Sequence, residues 1–160
     1  MAVFSGQDQD MEPFLSPDNL RLYFVSNRSK SDTAASKDFD IWFVERASTN
    51  DQWSTPENMG IPINSSQNEF YPSVAESGNL YFTSDRPGSK GRDDIFMSQW
   101  TDKGYTEPVS LSDSINSGEF EFNAYIASDE SFIVFTGYNW EGGFGSGDLY
   151  ISYKTGDGWS

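Results

Sequence analysis

The chain has 160 residues, with 25 acidic and 10 basic side chains, a formal charge of −15 and neither cysteine nor histidine. Those absences rule out disulfides, thiol nucleophiles, histidine acid–base chemistry and metal sites built on soft ligands, and the acidic balance excludes nucleic acid as an electrostatic partner. No run of about 18 apolar residues is present to insert into a membrane, and the opening MAVFSGQDQDMEP lacks the basic and apolar regions of a signal peptide.

Hydrophobic residues are 36% of the chain and aromatic ones 16%, so a core here is carried by rings. From the N-terminus, Met1 to Gly6 reads as one short strand, and Leu20-Arg21-Leu22-Tyr23-Phe24 as an alternating strand ending in an aromatic. Asp40-Ile41-Trp42 starts another, followed by Trp53-Ser54, Pro56 and Ile63-Asn64-Ser65. The order then repeats. Strands are expected from Phe70 to Val74 and from Asn79 to Ser84, then a Gly-rich loop from Pro87 to Gly91. Further strands run from Asp94 to Trp100 and from Tyr105 to Leu111, with Pro108 and Ile115-Asn116-Ser117 as the second linking marks. A third round gives Phe132 to Phe135, Asp148-Leu149-Tyr150 and Trp159-Ser160.

The strand-end Phe recurs at 24, 82 and 135, the aspartate at 40, 94 and 148, and the later aromatic at Trp53, Tyr105 and Trp159. One order and one period of about 53 residues define the organisation. Nothing alternates at helical spacing, so the prediction is all-β, with Gly, Asn and Asp at hairpin turns. Four short antiparallel strands per unit are what a β-propeller blade requires. The units are placed at about 10–65, 69–117 and 121–160 within a single domain, with 1–6 as a strand of a neighbouring blade.

Ser16-Pro17-Asp18-Asn19, Leu22-Tyr23-Phe24, Ser26-Asn27-Arg28 and Asp40-Ile41-Trp42 together resemble the TolB-like, WD-like β-propeller repeat of bacterial proteins. Ser84-Asp85-Arg86, Pro87-Gly88 and Asp94-Ile95-Phe96 repeat the pattern, and Trp53-Ser54-x-Pro56 to Ile63-Asn64-Ser65 is similar to its between-blade stretch. The third unit departs, with Asp129-Glu130-Ser131 at the turn and Gly137 and Asn139 in place of Ser and Arg. The resemblance implies a propeller of more blades than three, and a periplasmic or extracellular setting. Three blades do not close a ring, since propellers run from about four to eight. Either two copies associate as a homodimer, an isologous pair of half-rings making six blades, or the three blades stand as an open monomer, or the chain is a stretch of a longer propeller.

Several residues qualify as site candidates, each with a structural reading beside it. Asp10, Glu69 and Glu121 precede the first strand of each unit, where they could ring the axial mouth and hold Ca²⁺; no EF-hand loop supports a metal, and no cofactor is otherwise implied. Arg28 and Arg86 could read a carboxylate or sugar, or tie neighbouring blades through an acid. Trp140 and Phe144, in the loop from 140 to 147, could stack on a sugar or peptide, or simply belong to an edge hairpin. Asp40, Asp94 and Asp148 read as carboxylates that bind backbone N–H groups of the preceding loop. Trp42, Phe96, Tyr150, Trp53, Tyr105 and Trp159 read as repeat positions of the core. The expected function is a non-enzymatic binding or assembly module for a protein, peptide or glycan. The alternative is a carboxylate-dependent glycan hydrolase or lyase completed by oligomerisation.

Overall fold

The computed structural model describes residues 2–30, 38–156 and 158–160. Its strands form three four-stranded antiparallel sheets and one small hairpin, and no helix occurs among the described residues. The first sheet orders β1 (Asp10–Leu15), β2 (Arg21–Ser26), β3 (Asp40–Glu45) and β4 (Glu57–Asn58). The second orders β5 (Glu69–Val74), β6 (Leu80–Ser84), β7 (Asp94–Ser98) and β10 (Val109–Ser110). Between β7 and β10, β8 (Trp100–Thr101) and β9 (Gly104–Tyr105) form the hairpin. The third sheet orders β11 (Phe120–Ile126), β12 (Phe132–Tyr138), β13 (Gly147–Thr155) and β14 (Gly158–Trp159).

Two stretches differ from the sequence expectation. The strand from Asp94 to Trp100 ends at Ser98, because Gly104 at φ +100° folds the chain back and sets Tyr105 edge-on against Trp100, centroids 4.8 Å apart. The described part of 1–6 is a turn rather than a strand, closed by Ser5 N–H to Ala2 C=O at 3.1 Å. Phe4 stands six residues before Asp10, as Ile63 stands before Glu69 and Ile115 before Glu121. It is the between-sheet turn that recurs, not a blade edge.

Alternation along the strands assigns the two faces of each sheet. Phe82 and Phe96 face back onto the first sheet with Tyr23, Ile41, Ile63, Val74 and Leu80. Tyr81 and Ile95 face forward onto the third with Ile126, Ile133 and Phe135. Every residue of β6 is therefore buried, whereas β12 alternates between covered and open positions. Propeller stacking needs this two-sided burial of a middle blade.

The Ile-Asn-Ser mark has a defined job at each junction. Ile63 and Ile115 are fully buried. The Asn64 side chain accepts from the Ile41 N–H and donates to the Ile41 C=O, both at 2.9 Å. Asn116 does the same for Ile95 at 2.9 and 2.8 Å. A side-chain amide thus stands in for a neighbouring strand and satisfies a buried backbone. The serines bind the next sheet's first acid: Ser65 to Glu69 at 2.6 Å and Ser117 to Glu121 at 2.5 Å.

The irregular third turn is also accounted for. Glu130 sits at φ +59°, the left-handed position held by Asn19 and Gly78 in the other two units. Its carboxylate accepts from the Tyr81 hydroxyl at 2.7 Å, the Asn79 amide at 3.0 Å and the Ser77 hydroxyl at 2.8 Å, stapling the second and third sheets. Burial pushes the Glu130 carboxyl up, but the donors from Tyr81, Asn79 and Ser77 outweigh it and leave the group below the ordinary glutamate range. A lowered folded-state pKa contributes stability that is present above about pH 4.5 and is lost as pH falls through the folded value. Glu130→Gln is expected to cost about 1 kcal/mol at pH 7, discounted for its partial exposure, and to flatten the acid side of the stability profile. Urea unfolding of both proteins between pH 7 and 3 checks this; parallel profiles would remove the staple.

Candidate functional site

The first strand of each sheet lies innermost, and β5 packs against both β1 and β11. Asp10, Glu69 and Glu121 do not line an open mouth here. Glu69 and Glu121 are completely buried, because each is the anchor of its own sheet. Glu69 accepts from Arg86 at 3.0 Å, from Ser65 and from Ser84 at 3.2 Å. Arg86 also donates to the Pro62 and Ile63 carbonyls and stacks over Phe82 at 4.9 Å. Burial raises the Glu69 carboxyl, opposed by the Ser65 and Arg86 contacts.

The first sheet repeats the device with shorter parts. Arg28 pairs with Asp10 at 2.6 Å, lies 5.0 Å over Phe24, and donates to the Phe4 carbonyl at 3.4 Å. Gly6 stands where Ser65 and Ser117 stand, and Asp10 Oδ2 is left buried without a hydrogen-bond partner. In the third sheet Trp140 replaces arginine, its indole N–H donating to Glu121 at 2.5 Å. Gly137 makes this possible: a Cβ there would come within 2.9 Å of the Trp140 ring. The departures Gly137 and Asn139 are therefore accounted for together: Trp140, one residue beyond the arginine position, takes over the acid, and Gly137 gives its ring room. Arg28 and Arg86 each tie an acid and a turn within one blade edge.

Trp140 packs on Tyr150 and Phe135, with centroids 4.4 and 5.6 Å away, whereas Phe144 is wholly exposed. The structure does not bring these two rings together as a stacking platform. Asp94 accepts from the Lys90 and Gly91 N–H groups at 2.9 and 3.1 Å, and Asp148 from Phe144 and Gly145 at 2.9 and 3.0 Å. Each carboxylate folds the loop before its strand. Asp40 instead receives Asn58 and Lys30, both at 2.9 Å; the loop at 31–37 lies outside the described residues. Trp42 and Phe96 are buried, Tyr150 is half-buried against the core, and Trp53, Tyr105 and Trp159 pack on the three hydrophobic clusters in turn.

What the axis does present lies two residues further on. Each first strand has a register shift, between Met11 and Phe14, Phe70 and Ser73, and Phe122 and Tyr125. At each shift a non-glycine residue adopts positive φ: Glu12 at +54°, Tyr71 at +52° and Asn123 at +57°. Such conformations cost about 1–3 kcal/mol each and persist where surrounding structure enforces them, often at binding sites. The three positions are equivalent across the sheets. Tyr71 N–H donates to the Glu12 carboxylate at 2.7 Å, and the Tyr71 ring lies 6.0 Å from Phe122.

Two clefts of about 220 Å³ each open beside Tyr71 and share Glu12. One is bounded by Pro13, Phe14, Pro72 and Asn123, the other by Phe70, Thr83, Asp93 and Phe122. Burial raises the Glu12 carboxyl, against the pull of the Tyr71 contacts. Burial, with Asp85 and Asp94 nearby, raises Asp93 as well. No cation is paired with either carboxylate among the described ion pairs. Carboxylates set among aromatic faces suit an ammonium or guanidinium group. The sequence carried a signal for these positions in Pro13 and Pro72, since a proline inside a strand marks a bulge; Ala124 gives none at the third.

Three stacked, twisted four-stranded sheets with their first strands gathered at one axis make this an all-β, partial β-propeller of the TolB-like fold. Among solved structures, TolB from Acinetobacter baumannii superposes on 88% of this chain with a TM-score of 0.53 and 16% sequence identity. The match covers 28% of the TolB chain, so this chain spans little more than a quarter of that protein. At this identity the likeness is one of fold alone. No family model matches the chain, and no curated protein matches it.

Proposed function

We propose that this protein is a non-enzymatic binding module whose axial site takes a cationic segment of a protein or peptide. The observation that carries the reading is the threefold bulge: Glu12, Tyr71 and Asn123 hold strained backbone at equivalent positions and bring a carboxylate and aromatic rings to the axis. The net charge of −15 adds long-range attraction for a basic partner. A glycan hydrolase or lyase would need two accessible carboxylates flanking a substrate. Glu69 and Glu121, which begin the second and third sheets, are sealed by Ser65 with Arg86 and by Ser117 with Trp140 and are not such a pair; of the two carboxylates that share a cleft, Glu12 and Asp93, Glu12 is already engaged by the Tyr71 N–H.

The test is calorimetric titration with a short arginine-bearing peptide, its citrulline counterpart serving as the uncharged control. Glu12→Gln is expected to weaken binding about tenfold, the worth of one charge-assisted contact. Glu57→Gln, at an exposed position on β4, should leave it unchanged. Binding should also weaken as pH falls through the raised Glu12 pKa, because the carboxylate that meets the cation is lost. Equal losses from the two variants would reduce the interaction to overall charge and overturn the axial site.

A further inference from the structure

We propose that the axial cleft bounded by Tyr71 and Phe122 takes the ammonium group of a lysine side chain, and that Thr83 sets lysine above arginine there. This rests on the axial binding reading and names the group that enters the site. One hydroxyl in that cleft is unused by the fold. Thr83 is 1% exposed, and its Oγ1 is buried without a hydrogen-bond partner among the described residues. It lies opposite Phe70 in the β5–β6 register and lines the cleft together with Glu12 and Asp93. An unpaired buried hydroxyl costs free energy that an apolar side chain of the same shape avoids.

The repeat does not ask for that hydroxyl. The residue after the strand-end Phe is Val25 in the first sheet, fully buried, and Thr136 in the third, half-buried. Nor does the repeat ask for Asp93, which precedes the strand-starting aspartate where Phe39 and Gly147 stand in the other sheets. Glu12 is the one acid among the three bulge residues, beside Tyr71 and Asn123. Three oxygen-bearing side chains thus depart from the repeat and share one cleft of about 220 Å³. The Asp93 backbone, not its side chain, joins the third sheet, its carbonyl accepting from the Glu121 N–H at 2.8 Å. The charges acting on its carboxylate, from Asp85 and Asp94, are like its own. The lining residues come from β1, β5, β6, β11 and the entry to β7, so the cleft is formed at the two internal junctions rather than on either outer face.

Charge and shape select the occupant. An ammonium is compact and brings three donors, and the cleft offers Glu12, Asp93 and the Thr83 hydroxyl, one acceptor for each. Phe70, Tyr71 and Phe122 supply ring faces, to which a cation is drawn by the ring quadrupole. Burial and the negative charges of Glu12 and Asp93 raise the Tyr71 phenol, which keeps that ring neutral. A guanidinium is planar and pairs best with both oxygens of one carboxylate, but Glu12 already commits one oxygen to the Tyr71 N–H. Asp93 can take the fork alone, and that arrangement does not need the Thr83 hydroxyl.

Calorimetric titration of the 160-residue chain with acetylated and amidated Gly-Lys-Gly, Gly-Arg-Gly and Gly-norleucine-Gly tests the assignment. The lysine peptide is expected to bind about tenfold more tightly than the arginine one, the worth of one charge-assisted hydrogen bond, and the norleucine peptide not to bind. Thr83→Val should weaken the lysine peptide about fivefold and leave the arginine peptide unchanged. Its urea midpoint should not fall, because no partner within the protein is lost. Asp93→Asn, as a second variant, should weaken the lysine peptide about tenfold. Equal binding of the lysine and arginine peptides, with Thr83→Val changing neither, would overturn the lysine assignment while the axial cation site stood. A lower urea midpoint in Thr83→Val would overturn it too, since the hydroxyl would then serve the fold. Binding of neither peptide above the norleucine control would overturn the axial reading, and this assignment with it.

Discussion

Replacing Phe82 with alanine is expected to cost about 3–5 kcal/mol, the range for a large ring removed from a close-packed core. Phe82 is fully buried in the junction between the first two sheets, stacked on Phe96 with centroids 6.1 Å apart and capped by the Arg86 guanidinium. Both neighbouring strands are held in hydrogen-bonded register, so the walls of the vacated space cannot collapse freely. A domain of this size has about 5–15 kcal/mol of stability in all. The urea midpoint should therefore fall steeply with the slope unchanged. Leu149→Ala, at the equally apolar but 75% exposed position, is expected to stay within about 0.5 kcal/mol in the single chain. Similar midpoint shifts for the two would mean that the sheets do not stack as described.

That contrast shows where sequence pattern and structure part company. The strand-end Phe and the strand-starting aspartates were legible because they do local work that every unit needs: a ring for the sheet face and a carboxylate for the loop before it. Leu149 matches Ile41 and Ile95 in sequence, yet its exposure depends on what lies beyond the strand, which no local pattern encodes. The axial residues were missed for another local reason. Reading β1, β5 and β11 as plain strands sends Asp10, Glu69 and Glu121 to the axis. The register shift that follows each acid breaks the two-residue alternation, so the acid turns inward and Glu12, Tyr71 or Asn123 turns to the axis. Pro13 and Pro72 announce the shift twice. The Asn64 and Asn116 amides were visible as landmarks, but their pairing with the Ile41 and Ile95 backbones joins residues 23 and 21 positions apart. Only the folded junction brings those together.

The anchors of the three sheets lead to the second large expected effect. Arg86→Met should cost about 3–5 kcal/mol, because it strands a completely buried carboxylate, Glu69, without its cation. The same change at Arg28 should cost about 1–3 kcal/mol, since the Asp10 pair keeps some solvent, with 15% exposure on each side chain. Arg86→Met also has a signature in pH. Burial already raises the Glu69 carboxyl, and losing the guanidinium raises it further. A raised folded-state pKa means that the contribution to stability is fully present below the unfolded value and is lost as pH rises through the folded one. The deficit of Arg86→Met should therefore shrink between pH 7 and 5, and Glu69→Gln in the same chain should recover part of it at pH 7 by removing the stranded charge. Chemical unfolding of the two variants across that range decides the matter. A deficit that stays constant with pH and is not relieved by Glu69→Gln would mean that Arg86 matters for its packing over Phe82 and Phe96 rather than for the ion pair. The acid that begins each sheet would then be a passenger of the repeat and not its anchor.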